Sequence, residues 1–474
     1  MRPPLNITNN PASLYQLSFI QLLQSFTFYG IRSLLVLYFT QGMFFSDSQA
    51  LTLYGNTMAF LYLAPLIGGL LIDKYWSSTF NLRIGVTITC LGTLLISLPY
   101  GQTFLYGLVV LIVGQGLFKP TIPYLIDQLY VGKDQNRSSG YTFYYVMINV
   151  GSALAPFLCG ILKQIYGWQI SFTACLFSAL IGLFFAFRYT SDTFSLSLNW
   201  LKIILFSAGG LASSVFIYYF LNFPQWMDYL ILYLTPLVGI YLGYLYISSE
   251  NKKNTLLMFL VIFLFCLFAA LFEQAGGSVT LFIEKHINRS IGGFENLPSS
   301  LFLGLNPLFT ITIGFLLSRL LNLSVNLSPL KQLAIGFAVI AIGFSVLWLS
   351  TFFVTESTSP GVWWIVGAFL FHALGELCIV PITLSLATKF APQQKKGIVI
   401  GLWYLAAAYG HYLAVWLSKS IFLKASSSSS APVSSVENFT QVFAITTEIA
   451  FACAMVLLIL SFWHGKTFSY MSSK

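Results

Sequence analysis

Four charged residues lie well inside long apolar runs of the sequence. Two are basic, Arg32 and Lys119, and two are acidic, Glu273 and Glu376. A charge at the centre of a membrane-spanning helix costs about 2.5–3.5 kcal/mol on insertion scales, so such residues usually face a cavity or a partner. The basic pair falls in the first half of the chain and the acidic pair in the second. The pattern predicts either pairing between them or binding of a zwitterion, with its carboxylate on the basic pair and its amine on a glutamate.

A set of fixed ion pairs that only hold helices together is the alternative interpretation. It is disfavoured because buried ion pairs are weak stabilisers once desolvation is counted. Lys119 and Asn149 stand in apolar runs separated by a polar break. They are predicted to form two walls of one polar site inside a helical bundle.

Helical spacing adds neighbours to these charges. One helix face carries four residues at spacings of four, three and four: Gln21, Ser25, Phe28 and Arg32. Tyr145 and Asn149 lie one turn apart, and His372 lies one turn before Glu376. For His372 and for His411 the role of a hydrogen-bonded core residue is favoured over that of a proton carrier. Four tyrosines are candidates for lining a cavity, with ordinary packing weighed equally: Tyr29, Tyr62, Tyr144 and Tyr145.

The composition indicates an integral membrane protein. Of 474 residues, 57% are hydrophobic and 8% charged, whereas soluble proteins have about 25% charged residues. The apolar runs are continuous over roughly 20 residues, which favours helices over a barrel. The net charge of +9 does not indicate nucleic-acid binding, because the basic residues sit mostly in short connections between apolar runs.

No sequence feature indicates an enzyme, a metal or a cofactor. All six cysteines fall inside apolar runs without metal-ligand spacing, so disulfides are not expected. The chain shows no convincing nucleophile–base pair and no phosphate loop. Met1 to Ser13 lacks the apolar core of a signal peptide, so we expect the first helix to be retained.

Fourteen apolar runs divide the chain. They span 14–40, 51–73, 83–100, 103–130, 140–163, 168–188, 198–221, 226–248, 255–283, 299–320, 331–352, 361–390, 395–420 and 439–464. Alternate connections hold most of the basic residues, which predicts that both termini are cytoplasmic. The runs within 198–248 have no mid-run charge and are interpreted as an inserted hairpin. Residues 425–435 are predicted to be a low-complexity outer loop.

The end of the second run carries a further motif. Gly69 permits close helix approach, and Asp73 and Lys74 end the run at the cytoplasmic side. We interpret Gly69, Asp73 and Lys74 as a conformational motif.

Six short motifs carry a resemblance to a known family. They are Gly116-Leu-Phe-Lys119-Pro, Phe143-Tyr-Tyr-Val-Met-Ile-Asn149-Val-Gly151, Phe272-Glu273-Gln274, Leu305-Asn306-Pro307, Gly375-Glu376-Leu377-Cys378 with Pro381, and Gly401-Leu-Trp403. On these motifs the chain resembles the proton-dependent oligopeptide transporter (POT, or PTR) family of the major facilitator superfamily. The resemblance covers nearly the whole chain. Thr121 stands where the family usually has asparagine, and Val380 where it usually has serine.

The resemblance implies import of di- and tripeptides, coupled to protons by alternating access. It implies that Arg32 pairs with Glu273, and Lys119 with Glu376, as gates. It places Arg32 and Lys119 near the peptide carboxylate. Near the peptide amine or backbone it implies Asn149, Asn306 and Glu376. It implies side-chain pockets lined by Tyr29, Tyr62 and Trp403. Tyr145 is a further candidate, because it lies one turn from Asn149.

The first helix departs from the family pattern. The motif E-x-x-E-R-F-x-Y-Y-G appears here as Gln21-Leu-Leu-Gln24-Ser25-Phe-Thr-Phe28-Tyr29-Gly30. Glutamine matches glutamate in shape but does not carry a proton near neutral pH. Proton coupling, if kept, is therefore expected to fall on Glu273 or Glu376, and Glu273 is the first choice.

The sequence is thus interpreted as an all-α membrane protein of the major facilitator fold. Two six-helix bundles, 1–190 and 253–474, flank a hairpin with linkers at 191–252, giving fourteen membrane-spanning helices in the inner (cytoplasmic) membrane. The expected partners are short peptides, protons and lipid, with no nucleic acid and no cofactor, and the chain is expected to be a monomer. Two alternatives stay open: an uncoupled or differently coupled carrier of amino acids or other small zwitterions or anions, and a nutrient sensor on a transporter scaffold.

Overall fold

The fold is all-α, as the apolar runs predict. The computed structural model describes residues 12–74, 77–99, 101–130, 134–189, 200–320, 328–391, 396–427 and 436–472. Helices dominate because backbone polar groups in lipid must be satisfied within the segment that crosses it. Two compact units are resolved: Met1–Tyr38 with Asn56–Gln225 form unit 1, and Phe39–Gly55 with Trp226–Lys474 form unit 2.

Among the described residues, seven helices contribute to unit 1. They are α1 (Ala12–Leu37), α2 (Asp47–Lys74, from residue 56 onward), α3 (Ser78–Ser97), α4 (Gly101–Leu129), α5 (Asp134–Tyr166), α6 (Trp168–Arg188) and α7 (Trp200–Asn222). A buried cluster joins α1, α3, α4 and α6 through residues such as Leu17, Val86, Ile122 and Ala179. This cluster holds α1 and α4, the helices that carry Arg32 and Lys119.

Unit 2 holds the remaining helices of the described chain. They are α8 (Trp226–Ile247), α9 (Lys252–Phe272), α10 (Ser278–His286), α11 (Leu305–Leu320), α12 (Pro329–Thr351), α13 (Trp363–Phe390), α14 (Lys396–Ser427) and α15 (Val436–Ser472). The first part of α2, up to Gly55, also belongs to this unit. Rings from α10, α14 and α15 pack together, with Phe282 5.2 Å from Phe443 and Phe422 5.2 Å from Phe439 between ring centroids.

Each predicted apolar run corresponds to a helix, but some runs are interrupted. The run 255–283 is not one helix: α9 ends at Phe272, a 3₁₀ segment spans Glu273–Gly276, and α10 begins at Ser278. Consecutive glycines at 276 and 277 favour such a break, because glycine stabilises a helix poorly. The run 299–320 likewise opens with a 3₁₀ segment, Ser299–Gly304, before α11. The predicted loop at 425–435 was placed too early, since α14 continues to Ser427; residues 428–435 lie outside the described part of the chain.

Twelve helices among the described residues are long and apolar enough to cross a membrane, with α9, the 3₁₀ segment and α10 counting as one span. The chain is therefore a multi-pass membrane protein. Two of the fourteen predicted spans, α2 and α7, are not among the twelve.

The helices of the predicted hairpin pack on different units. In unit 1, Tyr218 of α7 stacks on Tyr106 of α4 with centroids 4.7 Å apart. In unit 2, Asp228 of α8 accepts a hydrogen bond from Tyr412 at 2.7 Å and lies 3.3 Å from the Nζ of Lys419, both on α14. α7 is thus assigned to unit 1 and α8 to unit 2. The predicted division at 190 and 252 stays a prediction.

Candidate functional site

Lys119 is positioned by a close contact between α2 and α4 in unit 1. A Cβ on Gly68 would lie 2.0 Å from the carbonyl oxygen of Gly116, and a Cβ on Gly116 would lie 2.7 Å from the Cβ of Ala64. Only glycine permits backbones to approach so closely. Three residues after Gly116, the Nζ of Lys119 reaches the carbonyl oxygen of Leu61 at 3.4 Å.

Aromatic rings surround the ammonium group of Lys119. Its Nζ lies 4.2 Å from the ring centroid of Phe28 and 4.7 Å from that of Tyr62. Both distances fall within the range of cation–π attraction, which strengthens when the charge is shielded from water. The structure thus brings Lys119 together with Tyr62, a predicted pocket residue, and with Phe28, which had been placed only on the same face as Arg32.

Arg32 lies one turn beyond Phe28 on α1. Its guanidinium carbon is 5.6 Å from the ring centroid of Tyr29, which packs edge-on against Phe28. Arg32 and Phe28 also line a narrow cavity together with Thr57 of α2. The predicted residues Arg32, Lys119, Tyr29 and Tyr62 thus occur in one region of unit 1.

The first-helix glutamines show what replaces the missing acids. Gln21 donates to the hydroxyl of Ser25 at 3.1 Å, which agrees with the predicted shared face. Gln24 is 1% exposed, and neither its amide nitrogen nor its amide oxygen has a hydrogen-bond partner among the described residues. These side chains are neutral, so they do not compensate the charge of Lys119 as an acid would.

The candidates on α5 differ in exposure. Asn149 is 7% exposed and donates to the carbonyl oxygen of Tyr145 at 3.0 Å. Tyr145 itself is 41% exposed. Tyr144 is partly buried and packs against the buried cluster of unit 1.

Asn81 supplies an amide beside the altered lysine motif. Its Nδ2 donates to the Oγ1 of Thr121 at 2.9 Å and to the carbonyl oxygen of Leu117 at 3.0 Å. Thr121 stands where the family usually has asparagine, so an asparagine from α3 now contacts that turn of α4. Sequence reasoning missed Asn81, because the residue precedes the predicted apolar run 83–100, whereas α3 begins at Ser78.

Glu273 is the most enclosed acid of unit 2. It is 2% exposed and begins the 3₁₀ segment after α9. The hydroxyl of Tyr54, from the part of α2 in this unit, donates to its Oε1 at 2.5 Å. The Nε2 of His411, from α14, lies 3.1 Å from its Oε2. Sequence reasoning missed Tyr54 and assigned His411 to the core, whereas the structure brings both to Glu273.

The residue after Glu273 anchors this segment to α14. Gln274 donates to the carbonyl oxygen of Ala414 at 2.9 Å, and its oxygen accepts from Ser278 at 2.6 Å and Ser418 at 2.9 Å. All polar atoms of the Gln274 amide are thus engaged within unit 2. The anchor fixes the direction in which Glu273 points.

Two glycines make room for the partners of Glu273. A Cβ on Gly276 would lie 1.8 Å from the hydroxyl oxygen of Tyr54, and a Cβ on Gly410 would lie 2.5 Å from the Cβ of Ala269. Gly410 thereby lets α14 approach α9 beside His411. Larger side chains at either position would displace a partner of the carboxylate.

Glu376 forms a second acidic position in unit 2. The amide of Asn306 on α11 donates to its Oε2 at 2.8 Å, and Thr310 contacts the same oxygen at 3.4 Å. The predicted neighbours Asn306 and Glu376 are therefore in direct contact. His372, one turn earlier on α13, is 4% exposed and packs on the rings of Phe344 and Phe369, in agreement with a core role.

Trp403 is held by an aromatic partner. Its ring stacks on Phe265 of α9 with centroids 3.9 Å apart and planes 15° apart. Its indole nitrogen is buried without a hydrogen-bond partner among the described residues. The ring is thus fixed by stacking, which suits a rigid apolar wall.

The conformational motif lies outside the side chains that the structure describes. The backbones of Gly69, Asp73 and Lys74 belong to α2, but their side-chain environments are not among the described features. Their role stays a prediction.

Ion pairs in unit 2 lie apart from these acids. Lys285 reaches Asp47 at 2.5 Å, and Arg289 reaches Glu284 at 2.9 Å, with Gln41 donating to the same carboxylate at 2.9 Å. The sequence signal for them was the mixed charge of the connection 284–298. These contacts attach the segment 39–55 to the end of α10.

Comparison with known proteins gives concordant matches. A family model described as the POT family matches residues 77–195 and 241–433. A peptide transporter of Yersinia enterocolitica is 30% identical over 454 residues, which cover 85% of this chain and 87% of the relative. A dipeptide and tripeptide permease B of Aliivibrio fischeri is 26% identical, with 96% of this chain and 94% of the relative covered.

Solved structures share the fold. A structure from a study of proton-dependent oligopeptide transporters has a TM-score of 0.82 at 24% identity, covering 94% of this chain and 98% of that one. A peptide transporter in complex with sulfate has a TM-score of 0.83 at 20% identity, covering 97% and 96% of the two chains. The likeness extends over both units of the chain.

Proposed function

The chain belongs to the POT family, and from this premise we propose that it imports di- and tripeptides by proton symport with alternating access. Relatives named as peptide transporters or as dipeptide and tripeptide permeases support the substrate class. One observation about the site carries the proposal: the basic candidates, Arg32 and Lys119, lie in unit 1, and the acidic candidates, Glu273 and Glu376, lie in unit 2. A peptide zwitterion offers one charge of each sign.

Each end of the peptide has its own proposed contacts. Arg32 and Lys119 bind the carboxylate, and the aromatic rings around Lys119 attract its charge without neutralising it. Glu376 binds the amine, oriented by Asn306 at 2.8 Å. Asn149 contacts the peptide backbone, and the side-chain pockets are lined by Tyr29, Tyr62, Tyr145 and Trp403.

Proton coupling is proposed to run through Glu273. Its burial and its contacts with Tyr54 and His411 support this choice, because a buried carboxyl is where gaining or losing a proton changes the local energy most. Arg32, Lys119 and Glu376 are proposed to take part with Glu273 in gating, and Gly69, Asp73 and Lys74 in the conformational change.

The membrane arrangement is proposed to comprise fourteen spans in the cytoplasmic membrane, with both termini inside. The support is length: α2 has 28 residues and α7 has 23, and about 20 residues suffice to cross the apolar layer. Fourteen spans correspond to two bundles of six helices and an inserted hairpin of two helices, with boundaries near 190 and 252. We propose a monomer, because all the proposed site residues come from one chain.

An uncoupled carrier is the second candidate. It is favoured by one observation, the neutral Gln21–Ser25 hydrogen bond at 3.1 Å, because an acid expected from the family is absent there. Such a carrier would equilibrate peptides, amino acids or other small zwitterions instead of accumulating them.

Uptake of labelled dialanine into proteoliposomes tests the proposal. We expect accumulation above the outside concentration with an inward proton gradient, and none when a protonophore collapses that gradient. Protein-free liposomes are the control. Equilibration that ignores the gradient would favour the uncoupled carrier, and no uptake under any condition would overturn the peptide assignment.

A further inference from the structure

We propose that Glu273 and His411 share a single proton, which makes His411 the second half of the proton site. The inference rests on the proposed function in one respect: the shared proton is the one that moves with the peptide. The two residues come from the 3₁₀ segment after α9 and from α14, both within unit 2.

The first step concerns the Nδ1 atom of His411. It lies 2.7 Å from the carbonyl oxygen of Ala407, one turn earlier on α14. A carbonyl oxygen only accepts hydrogen bonds, so Nδ1 carries a proton. In a neutral imidazole this leaves Nε2 with a lone pair and no proton.

The second step concerns the contact between the two side chains. Nε2 of His411 lies 3.1 Å from Oε2 of Glu273. A carboxylate oxygen also accepts only, so two acceptors would face each other unless a proton lies between them. Either Glu273 is a carboxylic acid that donates to Nε2, or His411 is an imidazolium that donates to the carboxylate. In both forms the pair holds one exchangeable proton.

Burial makes that proton important. The side chains are 2% exposed for Glu273 and 6% for His411. With the proton the two side chains together carry no net charge; without it, they together carry one negative charge in a place with little water. Burying a charge is unfavourable, so the proton stabilises this contact between the two side chains. The arrangement seen here is therefore that of the protonated pair, and loss of the proton favours a different contact between α14 and the 3₁₀ segment.

Neighbouring elements fix the positions of Glu273 and His411. Among the contacts described within unit 2, two titratable side chains lie against Glu273: Tyr54, from α2, and His411, from α14. Tyr54 donates to the other carboxylate oxygen and is a positioning residue. On the same segment Gln274, which does not titrate, fixes the backbone to α14 and α10 through Ala414 and Ser278.

This arrangement also addresses the altered first helix. Gln21 and Gln24 stand where the family has glutamates, and an amide does not bind a proton near neutral pH. The chain instead has a protonatable imidazole beside Glu273. Proton binding thus rests on a histidine–glutamate pair within unit 2.

The principal test compares His411→Gln with His372→Gln. Both histidines are buried, but His372 packs on Phe344 and Phe369 rather than on an acid. Counterflow of labelled dialanine without a gradient reports substrate exchange, and gradient-driven uptake reports coupling. For His411→Gln we expect counterflow within about twofold of wild type. Accumulation should fall at least about tenfold, because a shift of one pH unit in the midpoint of proton binding changes the binding equilibrium by a factor of about ten. His372→Gln should keep both activities. Wild-type accumulation by His411→Gln would overturn the proposal.

A spectroscopic titration tests the shared proton without using transport. Infrared difference spectra of the protein in liposomes, taken between about pH 5 and about pH 9, follow the carboxyl band that Glu273→Gln removes and the imidazolium bands of histidine. Loss of the shared proton removes the carboxyl band where Glu273 holds it and the imidazolium bands where His411 holds it, so in wild type we expect a single midpoint for whichever of these signals change. His411→Gln should move the carboxyl midpoint by about one pH unit or more. Independent midpoints in wild type, or an unmoved carboxyl midpoint, would overturn the proposal.

The two readouts separate the failure of this inference from the failure of the proposed function. If wild type transports no dialanine, the peptide assignment fails, and the infrared titration still decides whether the pair shares a proton. If His411→Gln does not fold, the coincidence of the two signals is measured on wild type and on Tyr54→Phe, which keeps both titrating groups. Two separate transitions in wild type would again refute it.

Discussion

Asn306 donates its side-chain amide to the carboxylate of Glu376 at 2.8 Å. The contact joins α11 to α13 and orients the carboxylate, with Thr310 on the same oxygen at 3.4 Å. An acid held in one orientation binds an amine better than a mobile one, because less side-chain entropy is lost on binding.

Replacing Asn306 by Ala should therefore weaken peptide binding. Hydrogen bonds to charged groups are worth about 1.5–3 kcal/mol; since Glu376 is partly exposed, we expect a loss of about tenfold in dialanine affinity by isothermal titration calorimetry. Thr312→Ala is the matched control on α11, because its exposed hydroxyl bonds only to carbonyl groups of its own helix among the described contacts. Equal affinities for Asn306→Ala and wild type would contradict the orienting role.

Lys119→Ala should separate free peptides from amidated ones. If the ammonium binds the peptide carboxylate, the variant loses about tenfold or more in affinity for dialanine, the loss expected when a charge-assisted hydrogen bond disappears. Affinity for dialanine amide, which lacks the carboxylate, should change little. Lys163→Ala is the control, because Lys163 lies near the end of α5 and packs on the ring of Trp168, the first residue of α6. Parallel losses for both peptides would exclude a carboxylate contact.

Gly410→Ala should destabilise the protein and disturb the proton site together. The added methyl group would lie 2.5 Å from the Cβ of Ala269 and 2.7 Å from the carbonyl oxygen of Cys266, so α14 has to move away from α9. Overpacking of this kind costs about 1–3 kcal/mol, which thermal unfolding in detergent measures as a lower Tm. Gly239→Ala in α8, where nothing lies within 4 Å, should leave Tm unchanged or slightly raised. A wild-type Tm and wild-type accumulation in Gly410→Ala would argue against tight packing here.

Asp47→Asn should loosen the attachment of segment 39–55. The Asp47–Lys285 pair has side-chain exposures of 8% and 29%, so solvent screening limits its contribution to about 1 kcal/mol. We expect Tm to fall by a few degrees at low salt and the difference to shrink in high salt, where ionic interactions are screened. Glu295→Gln, at an exposed position of the same connection, should show no such effect. A salt-independent difference would mean that packing, not charge, is responsible.

Sequence reasoning predicted the helices well and the partners of the charges less well. Apolar runs locate helices because lipid leaves the backbone few alternatives, and the motifs placed Asn306 with Glu376 by family resemblance. The partners of Glu273 were not predicted. Tyr54 is 219 residues away along the chain, and nothing in the sequence distinguishes it from the other tyrosines, of which the chain has 26 in all. Nor did the hydropathy pattern reveal the break after Phe272, because apolar residues resume at Val279 and extend the same run to Ile283.

Lys119 illustrates the same limit from another side. The first helix offers Lys119 no acid, and the rings of Phe28 and Tyr62 were not predicted to be its neighbours. Aromatic residues are so frequent here, at 17% of the chain, that composition alone does not identify which of them face a cation. Three-dimensional packing supplies that information.

The assignment of residues 39–55 to unit 2 has a consequence for biosynthesis. This segment leaves the ribosome early, but its partners Glu273 and Lys285 follow 219 and 238 residues later. At about 5–20 residues per second, Tyr54 and Asp47 wait on the order of 10–50 seconds in the nascent chain before unit 2 can be completed. During that interval Tyr54 and Asp47 are without these two partners, so this part of unit 2 is completed only after more than half of the chain has been synthesised.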